Sequence, residues 1–167
     1  MVRWSLADPL KYLEVFPSVA KAFGGNAFDN GTAYLAEDGA GAALWLPPGS
    51  KPDEAALDRI FAENSPENIK KDLPAIFEQI ARYHPTEPHW YLSMIGVDPS
   101  RQGGGIGSSL MKDALEAVDR DGVIAYLESS NPKNISLYER HGFEVIGEIQ
   151  SGSSPVLRPM IRRATSE

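Results

Sequence analysis

The chain has no cysteine and only three histidines, His84, His89 and His141. The missing cysteine excludes disulfides, thiolate zinc sites, iron–sulfur clusters and a cysteine nucleophile. Three histidines are too few for a histidine-rich metal centre, so no metal is expected, although carboxylates alone can hold a hard cation. Positive charge is also short: 16 Lys and Arg against 23 Asp and Glu leave a net charge of −7. Such a surface repels phosphate backbones, which argues against nucleic acid as a partner and mildly favours a cationic substrate. No apolar run approaches a membrane span, and Met1 to Pro9 lacks the apolar centre of a signal peptide. The expectation is a cytoplasmic protein with no membrane partner.

What is present suits one domain over residues 1–167. Hydrophobic residues make up 42% and charged residues 23% of the 167, a globular balance in a chain long enough to bury a core without staples. The spacing predicts a helix within Pro9 to Phe23, with Leu10, Leu13, Val15, Phe16, Val19 and Ala20 facing inward. Two strands follow, Thr32 to Ala36 and Gly41 to Leu46, joined by the hairpin turn Glu37-Asp38-Gly39. Residues 50–86 read as helical. One helix covers Asp53 to Glu63, and a second, kinked or divided at Pro74, begins near Ser65-Pro66-Glu67, where Ser65 is read as its cap, and runs to Tyr83.

The rest alternates. His89 to Val97 and Val123 to Glu128 read as strands, with a helix from Ser108 to Arg120 between them. Asn131 caps a short helix that ends at Gly142, and Phe143 to Ile149 pairs with Val156 to Arg162 as a terminal hairpin. A meander followed by alternating strands and helices implies an α/β (α+β) fold, a mixed sheet flanked by helices.

The sharpest local signal is Val97-Asp98-Pro99-Ser100-Arg101-Gln102-Gly103-Gly104-Gly105-Ile106-Gly107-Ser108, which links a strand to a helix. Glycines let backbone approach a ligand, and the N–H groups of a helix's first turn favour an anion such as a pyrophosphate. No Gly-Lys-Ser/Thr follows to make a P-loop, and Ser109 and Ile106 break a dinucleotide fingerprint. Taken alone, the loop is equally readable as a bare turn. About two dozen residues on, Asn134 and Tyr138 stand four apart and share a helix face, offering an amide and a phenol to one ligand.

Together the two segments resemble the GCN5-related N-acetyltransferase (GNAT) superfamily. Its Gln-x-x-Gly-x-Gly motif is matched by Gln102, Gly105 and Gly107, and its second motif by Asn131, Asn134, Tyr138, Gly142 and Phe143. The likeness covers residues 89–149 and extends more weakly to the 32–46 hairpin. Glu87 to Leu92 and Leu127 to Asn134 look similar to the puromycin N-acetyltransferase-like members. The resemblance implies the acyl-CoA N-acyltransferase fold with a mostly antiparallel sheet. It also implies acetyl-CoA as co-substrate, and a small primary amine as acceptor in a ternary complex. It places the cofactor on Ile95, Gly96, Val97, Arg101, Gln102, Gly103, Gly104, Gly105, Ile106, Gly107, Ser108, Asn131, Lys133, Asn134 and Tyr138. Two departures stand out. Gly104 sits where the family often has a basic residue. Only about thirty residues precede Thr32, so the family's first strand and helix are expected to be missing or shortened.

Acyl transfer needs a polarised thioester carbonyl, a base for the ammonium and a proton for the thiolate. Backbone N–H groups near Ile95 to Val97 suit the first. Tyr138 suits the last, since a phenol can donate to departing sulfur; its alternative is a plain core tyrosine. Candidates for the base are Glu87, His89, Glu128 and His84, each also readable as structural. Ser93 and Ser129 suit a relaying water, and His141 suits the C-terminus of its helix, where a positive ring meets the dipole. Trp45, Trp90 and Tyr91 are candidates for a pocket wall, with Trp45 favoured as core. The segment 50–86 is expected to wall the acceptor side, and its acidic Asp53, Glu54, Glu63 and Glu67 either draw in an amine or form a solvated face. Two rival readings remain: an acyl-CoA sensor without catalysis, and an acetyltransferase acting on a protein N-terminus or lysine. An open sheet edge invites pairing as a homodimer.

Overall fold

The computed structural model describes residues 1–36 and 38–164. The chain runs α1 (Val2–Ser5), α2 (Pro9–Gly24), β1 (Ala33–Leu35), β2 (Gly41–Leu46), α3 (Glu54–Asn64), α4 (Glu67–Lys70), α5 (Leu73–Tyr83), β3 (His89–Val97), α6 (Ile106–Asp121), β4 (Ile124–Ser129), α7 (Ile135–Arg140), β5 (Glu144–Val145) and β6 (Arg158–Arg162). Among the described residues six strands form one sheet in the order β1-β2-β3-β4-β6-β5. Only β3 and β4 run parallel; every other neighbouring pair is antiparallel.

The parallel pair defines the molecule. β3 and β4 share a ladder only over His89↔Ile124, Trp90↔Ala125 and Tyr91↔Tyr126. Beyond Tyr91, β3 pairs with β2 alone as far as Val97, while β4 pairs with β6 as far as Ser129. The two strands therefore diverge, and the β4-facing backbone of β3 is left without a ladder partner. An irregularity in the β2–β3 ladder, where Leu44 faces Met94 and Trp45 faces Leu92, sits at the same height and bends β3 locally.

α6 covers one face of the sheet. Leu110, Met111, Ala114, Leu115 and Val118 recur at helical spacing and are all buried against Ala43, Trp45, Trp90, Leu92, Leu127 and Met160. Each large side chain taken from water here contributes about 1.5–3 kcal/mol. The helix starts at Ile106, two residues before the sequence-based expectation, because Gly105 takes the left-handed conformation (φ 86°) at its N-cap.

Several expectations need correction. α2 turns Val19 and Ala22 into the core with Tyr12, Phe16 and Phe23 half-buried, while Leu10 and Leu13 are 79% and 68% exposed. The rotation follows from Asp8, whose carboxylate accepts from the N–H groups of Leu10 and Lys11 at 2.8 and 2.9 Å and fixes where the helix begins. The long terminal hairpin shrinks to the two residues of β5 facing Met160 and Ile161, plus a lone bridge between Ile149 and Leu157. Gly147 lies against the Tyr83 side chain, where no Cβ fits, and Pro159 has no N–H to extend the ladder. The second helical stretch is divided before Pro74 into α4 and α5, and Pro66 rather than Ser65 takes the α4 N-cap. Among the described residues α1 and α2, and no strand, precede β1. Glu37 of the expected hairpin turn lies outside the described residues. Asp38 and Gly39 close that turn, with the Ala36 N–H donating to Gly41 O at 2.8 Å.

Candidate functional site

The loop between β3 and α6 builds the first part of the site. Asp98 Oδ1 accepts from the Ser100 N–H at 2.8 Å and from its hydroxyl at 2.7 Å, which holds Asp98 below the usual carboxylate range. Gln102 Nε2 donates to Val97 O at 3.1 Å and ties the loop back to the strand. Gly103 and Gly105 both have positive φ, and a Cβ on either would stand in open space. The first-turn N–H groups of α6, at Ile106, Gly107 and Ser108, precede any helical acceptor. The Ser108 hydroxyl meets His141 Nε2 at 2.8 Å. His141 does hold the C-cap position of α7, but burial and the nearby Arg140 and Arg162 push its pKa down. Its ring is neutral at neutral pH, so the expected charge–dipole role is replaced by orienting Ser108.

This loop and α7 enclose a cavity of about 480 Å³, lined by Ile95, Gly96, Val97, Arg101, Gln102, Gly103, Gly105, Ile106, Gly107, Ser108, Asn131, Lys133 and Asn134, with Leu137 and Arg140. Of the residues expected to hold the cofactor, all line it except Gly104, whose Cβ position faces Arg101 O, and Tyr138. Asn131 caps its turn, accepting from the Lys133 N–H at 3.1 Å. Arg101, Lys133 and Arg140 gather positive charge on a chain that is otherwise acidic, and the Arg101 guanidinium also bridges to Asp38 at 2.6 Å. Arg140 was not expected from the sequence; its place one helical turn beyond Leu137 was the available signal.

A second cavity of about 420 Å³ opens where β3 and β4 part. The two cavities share Ile95, Gly96 and Asn134. The second is walled by Tyr12, Phe16 and Phe23 of α2, by Phe61 of α3, and by Leu73, Phe77 and Ile80 of α5. Its floor carries Tyr91, Ser93, Glu128, Ser129 and Tyr138. Glu128 and Arg3 are the charged side chains among the described residues lining it. The contribution of α2 was missed in the sequence, because Tyr12, Phe16 and Phe23 read as an ordinary apolar stripe.

Tyr138 is buried, which raises its pKa, while the neighbouring Asn134 side chain pulls it partly back. The phenol therefore stays protonated near neutral pH and remains a donor. Glu128 is nearly buried, with its side chain 8% exposed. Its Oε2 accepts from the Tyr91 hydroxyl at 2.7 Å, and its Oε1 has no hydrogen-bond partner. Burial and the Glu128 charge push the Tyr91 and Tyr126 phenols up, so both stay neutral. His84 Nδ1 stands 3.6 Å from Glu128 Oε1. Ser93 donates to Leu44 O at 3.2 Å and Ser129 to Asn131 O at 3.2 Å.

Glu87 and His89 do not line the second cavity. Glu87 contributes its backbone carbonyl to His89 Nδ1 at 2.8 Å. Trp45 and Trp90 are core residues, with Trp90 Nε1 donating to Asp121 at 2.8 Å. Asp53, Glu54, Glu63 and Glu67 are exposed on the outer surface, Glu54 and Glu67 being paired with Lys51 and Lys70. Among the described residues no group of three or more His, Asp or Glu side chains is arranged to hold a metal, and no helix is long and apolar enough to cross a membrane.

A diverging parallel strand pair with a glycine-lined helix N-terminus beside it is the arrangement of acyl-CoA N-acyltransferases. Residues 75–143 match the acetyltransferase (GNAT) family. Over that segment the chain is similar to GNAT-family acetyltransferases. It is 30% identical over 104 residues to a probable toxin TacT of Sinorhizobium fredii, covering 55% of this chain and 58% of that protein. It is 41% identical over 71 residues to the N-alpha-acetyltransferase RimI of Mycobacterium tuberculosis, covering 41% of this chain and 44% of that one. The chain spans about half the length of the first curated relatives it matches. A crystal structure from Corynebacterium glutamicum, described as histone acetyltransferase HPA2 and related acetyltransferase, shares the fold. Its TM-score is 0.55 at 21% identity, over 96% of this chain and 94% of that one.

Proposed function

We propose that this chain transfers an acetyl group from acetyl-CoA directly to the primary amine of a small molecule. The observation that carries the reading is the junction of the two cavities at Ile95, Gly96 and Asn134, between a phosphate-suited loop and a buried carboxylate. The open glycine floor, the first-turn N–H groups and the three nearby cations fit the phosphates of coenzyme A. The unladdered backbone of β3 between Ile95 and Val97 would polarise the thioester carbonyl. Tyr138 would protonate the departing thiolate, and Glu128 would take the ammonium proton. With no cysteine available to hold an acyl group, direct transfer in a ternary complex is the simpler route.

The walls narrow the acceptor. Five aromatic rings from α2, α3 and α5 with a single carboxylate suit one ammonium on an apolar body. Arg3 on the same cavity disfavours a polycation. A protein α-amine is the second reading, and its support is the likeness to RimI. A homodimer through the open β1 edge, where Leu35 is exposed, completes the proposal. Thiol release from acetyl-CoA, screened against arylalkylamines, polyamines, aminoglycosides, amino acids and peptides, tests it. Release with small apolar amines supports the reading. Release with peptides alone replaces the acceptor, and CoA binding without any release makes the chain a sensor.

A further inference from the structure

Behind Glu128, away from the cavity, two histidines stand in line. His84 sits where α5 ends and His89 where β3 begins. Their Nε2 atoms face each other at 3.0 Å. The His84 ring is boxed edge-on by Tyr91, Tyr126 and His89, with centroids 5.0, 4.9 and 4.8 Å away, so its orientation is fixed.

The hydrogen bonds assign the tautomers. His89 Nδ1 faces the Glu87 carbonyl, which only accepts, so His89 carries its proton on Nδ1. His89 Nε2 is then an acceptor, and His84 Nε2 must be the donor to it. That leaves His84 Nδ1 as a bare lone pair directed at Glu128. The geometry agrees: Nδ1 and Oε1 stand 3.6 Å apart, too far for a hydrogen bond, and the buried Oε1 has no partner. No proton sits between His84 Nδ1 and Oε1, and the buried Tyr126 hydroxyl, also without a partner within hydrogen-bond geometry, lies near the same carboxylate.

Resting on the acetyltransferase reading, we propose that His84 and His89 form a proton exit that carries the acceptor ammonium's proton from Glu128 to solvent. The ammonium gives a proton to Oε1, and an O–H···Nδ1 bond closes the gap to His84. His84 takes that proton on Nδ1 and passes its Nε2 proton to His89. His89 releases a proton to water, and exchange with water at the half-exposed rings restores both tautomers. Of the two protons the ammonium loses, one leaves by this path and the other ends on the thiol. The groups facing the line are Glu128, Tyr91, Tyr126, Tyr83 and Glu87. Burial and His84 lower the His89 pKa, which outweighs the opposing Glu87 carbonyl and the Glu87 and Glu128 charges and favours passing the proton on.

The test uses the whole chain, acetyl-CoA and 2-phenylethylamine, the simplest amine on an aromatic body. His84→Gln is expected to lower kcat roughly 10- to 100-fold near neutral pH, with CoA affinity and melting temperature kept. Added imidazole restores the rate, and His89→Gln makes turnover depend on buffer concentration. A purely structural histidine gives neither effect. If wild type turns over and His84→Gln keeps its kcat while Glu128→Gln loses it, the exit is wrong and the acetyltransferase stands. If imidazole fails to rescue a folded His84→Gln of low activity, the exit is also wrong. If wild type binds CoA but acetylates no amine, both fall together.

Discussion

The Tyr91 hydroxyl donates to Glu128 Oε2 at 2.7 Å, tying the last laddered residue of β3 to a β4 residue two beyond its ladder partner Tyr126, where the strands have parted. The bond fixes one carboxylate oxygen and leaves the other, Oε1, buried, without a hydrogen-bond partner and 3.6 Å from His84 Nδ1. Glu128→Gln keeps an acceptor for Tyr91 but removes the base. It is expected to lower kcat by roughly 100-fold with little change in CoA affinity. Steady-state thiol release with calorimetric CoA titration checks this, and wild-type kcat in the variant would move the base elsewhere.

Tyr138→Phe removes a donor that burial keeps protonated. The account predicts a fall in kcat of roughly 10- to 100-fold with an unchanged KM for acetyl-CoA. The loss should shrink for an acyl donor whose leaving thiol is more acidic. Equal turnover would make Tyr138 an ordinary core residue packed on Phe143.

Arg162 anchors the far side of the sheet. Its guanidinium donates to both oxygens of Asp119 at 2.7 and 2.8 Å and to His141 O at 3.0 Å, with little solvent exposure. Arg162→Ala removes these three bonds together and should destabilise the fold by about 3 kcal/mol. Urea unfolding measures it, and a loss below about 1 kcal/mol would reduce the pair to a surface contact.

His141 gives a pH signature. Its folded pKa lies below the ordinary 6.5, so the unfolded chain binds its proton more readily. Its contribution is full above about 6.5 and is lost as pH falls through the folded value. Wild type should lose melting temperature on acidification more steeply than His141→Asn. Parallel curves would contradict a neutral ring on Ser108.

The loop was readable in the sequence because its code is local. A strand, a run of glycines and a helix start dictate positive φ at Gly103 and Gly105, and Asn131 before Pro132 dictates a cap. α6 was readable because its apolar period faces one flat sheet. What stayed hidden depends on distant parts meeting. Nothing in the spacing of His84, His89 and Glu128 says that a helix end, a strand start and a neighbouring strand bring their side chains into line. Nor does the stripe Tyr12, Phe16 and Phe23 announce that it lines a cavity. The terminal hairpin is shorter than its alternation implies, because alternation alone cannot show that Tyr83 packs on Gly147.

The central claim is that the glycine loop grips the phosphates of coenzyme A, and calorimetric titration of CoA into wild type and Gly105→Val tests it most directly. Gly105 has φ 86°, and a side chain there is strained and projects into the open floor. The account predicts saturable heat with wild type and an affinity weaker by roughly tenfold or more in the folded variant. No heat with wild type, or equal affinity in both proteins, would contradict it.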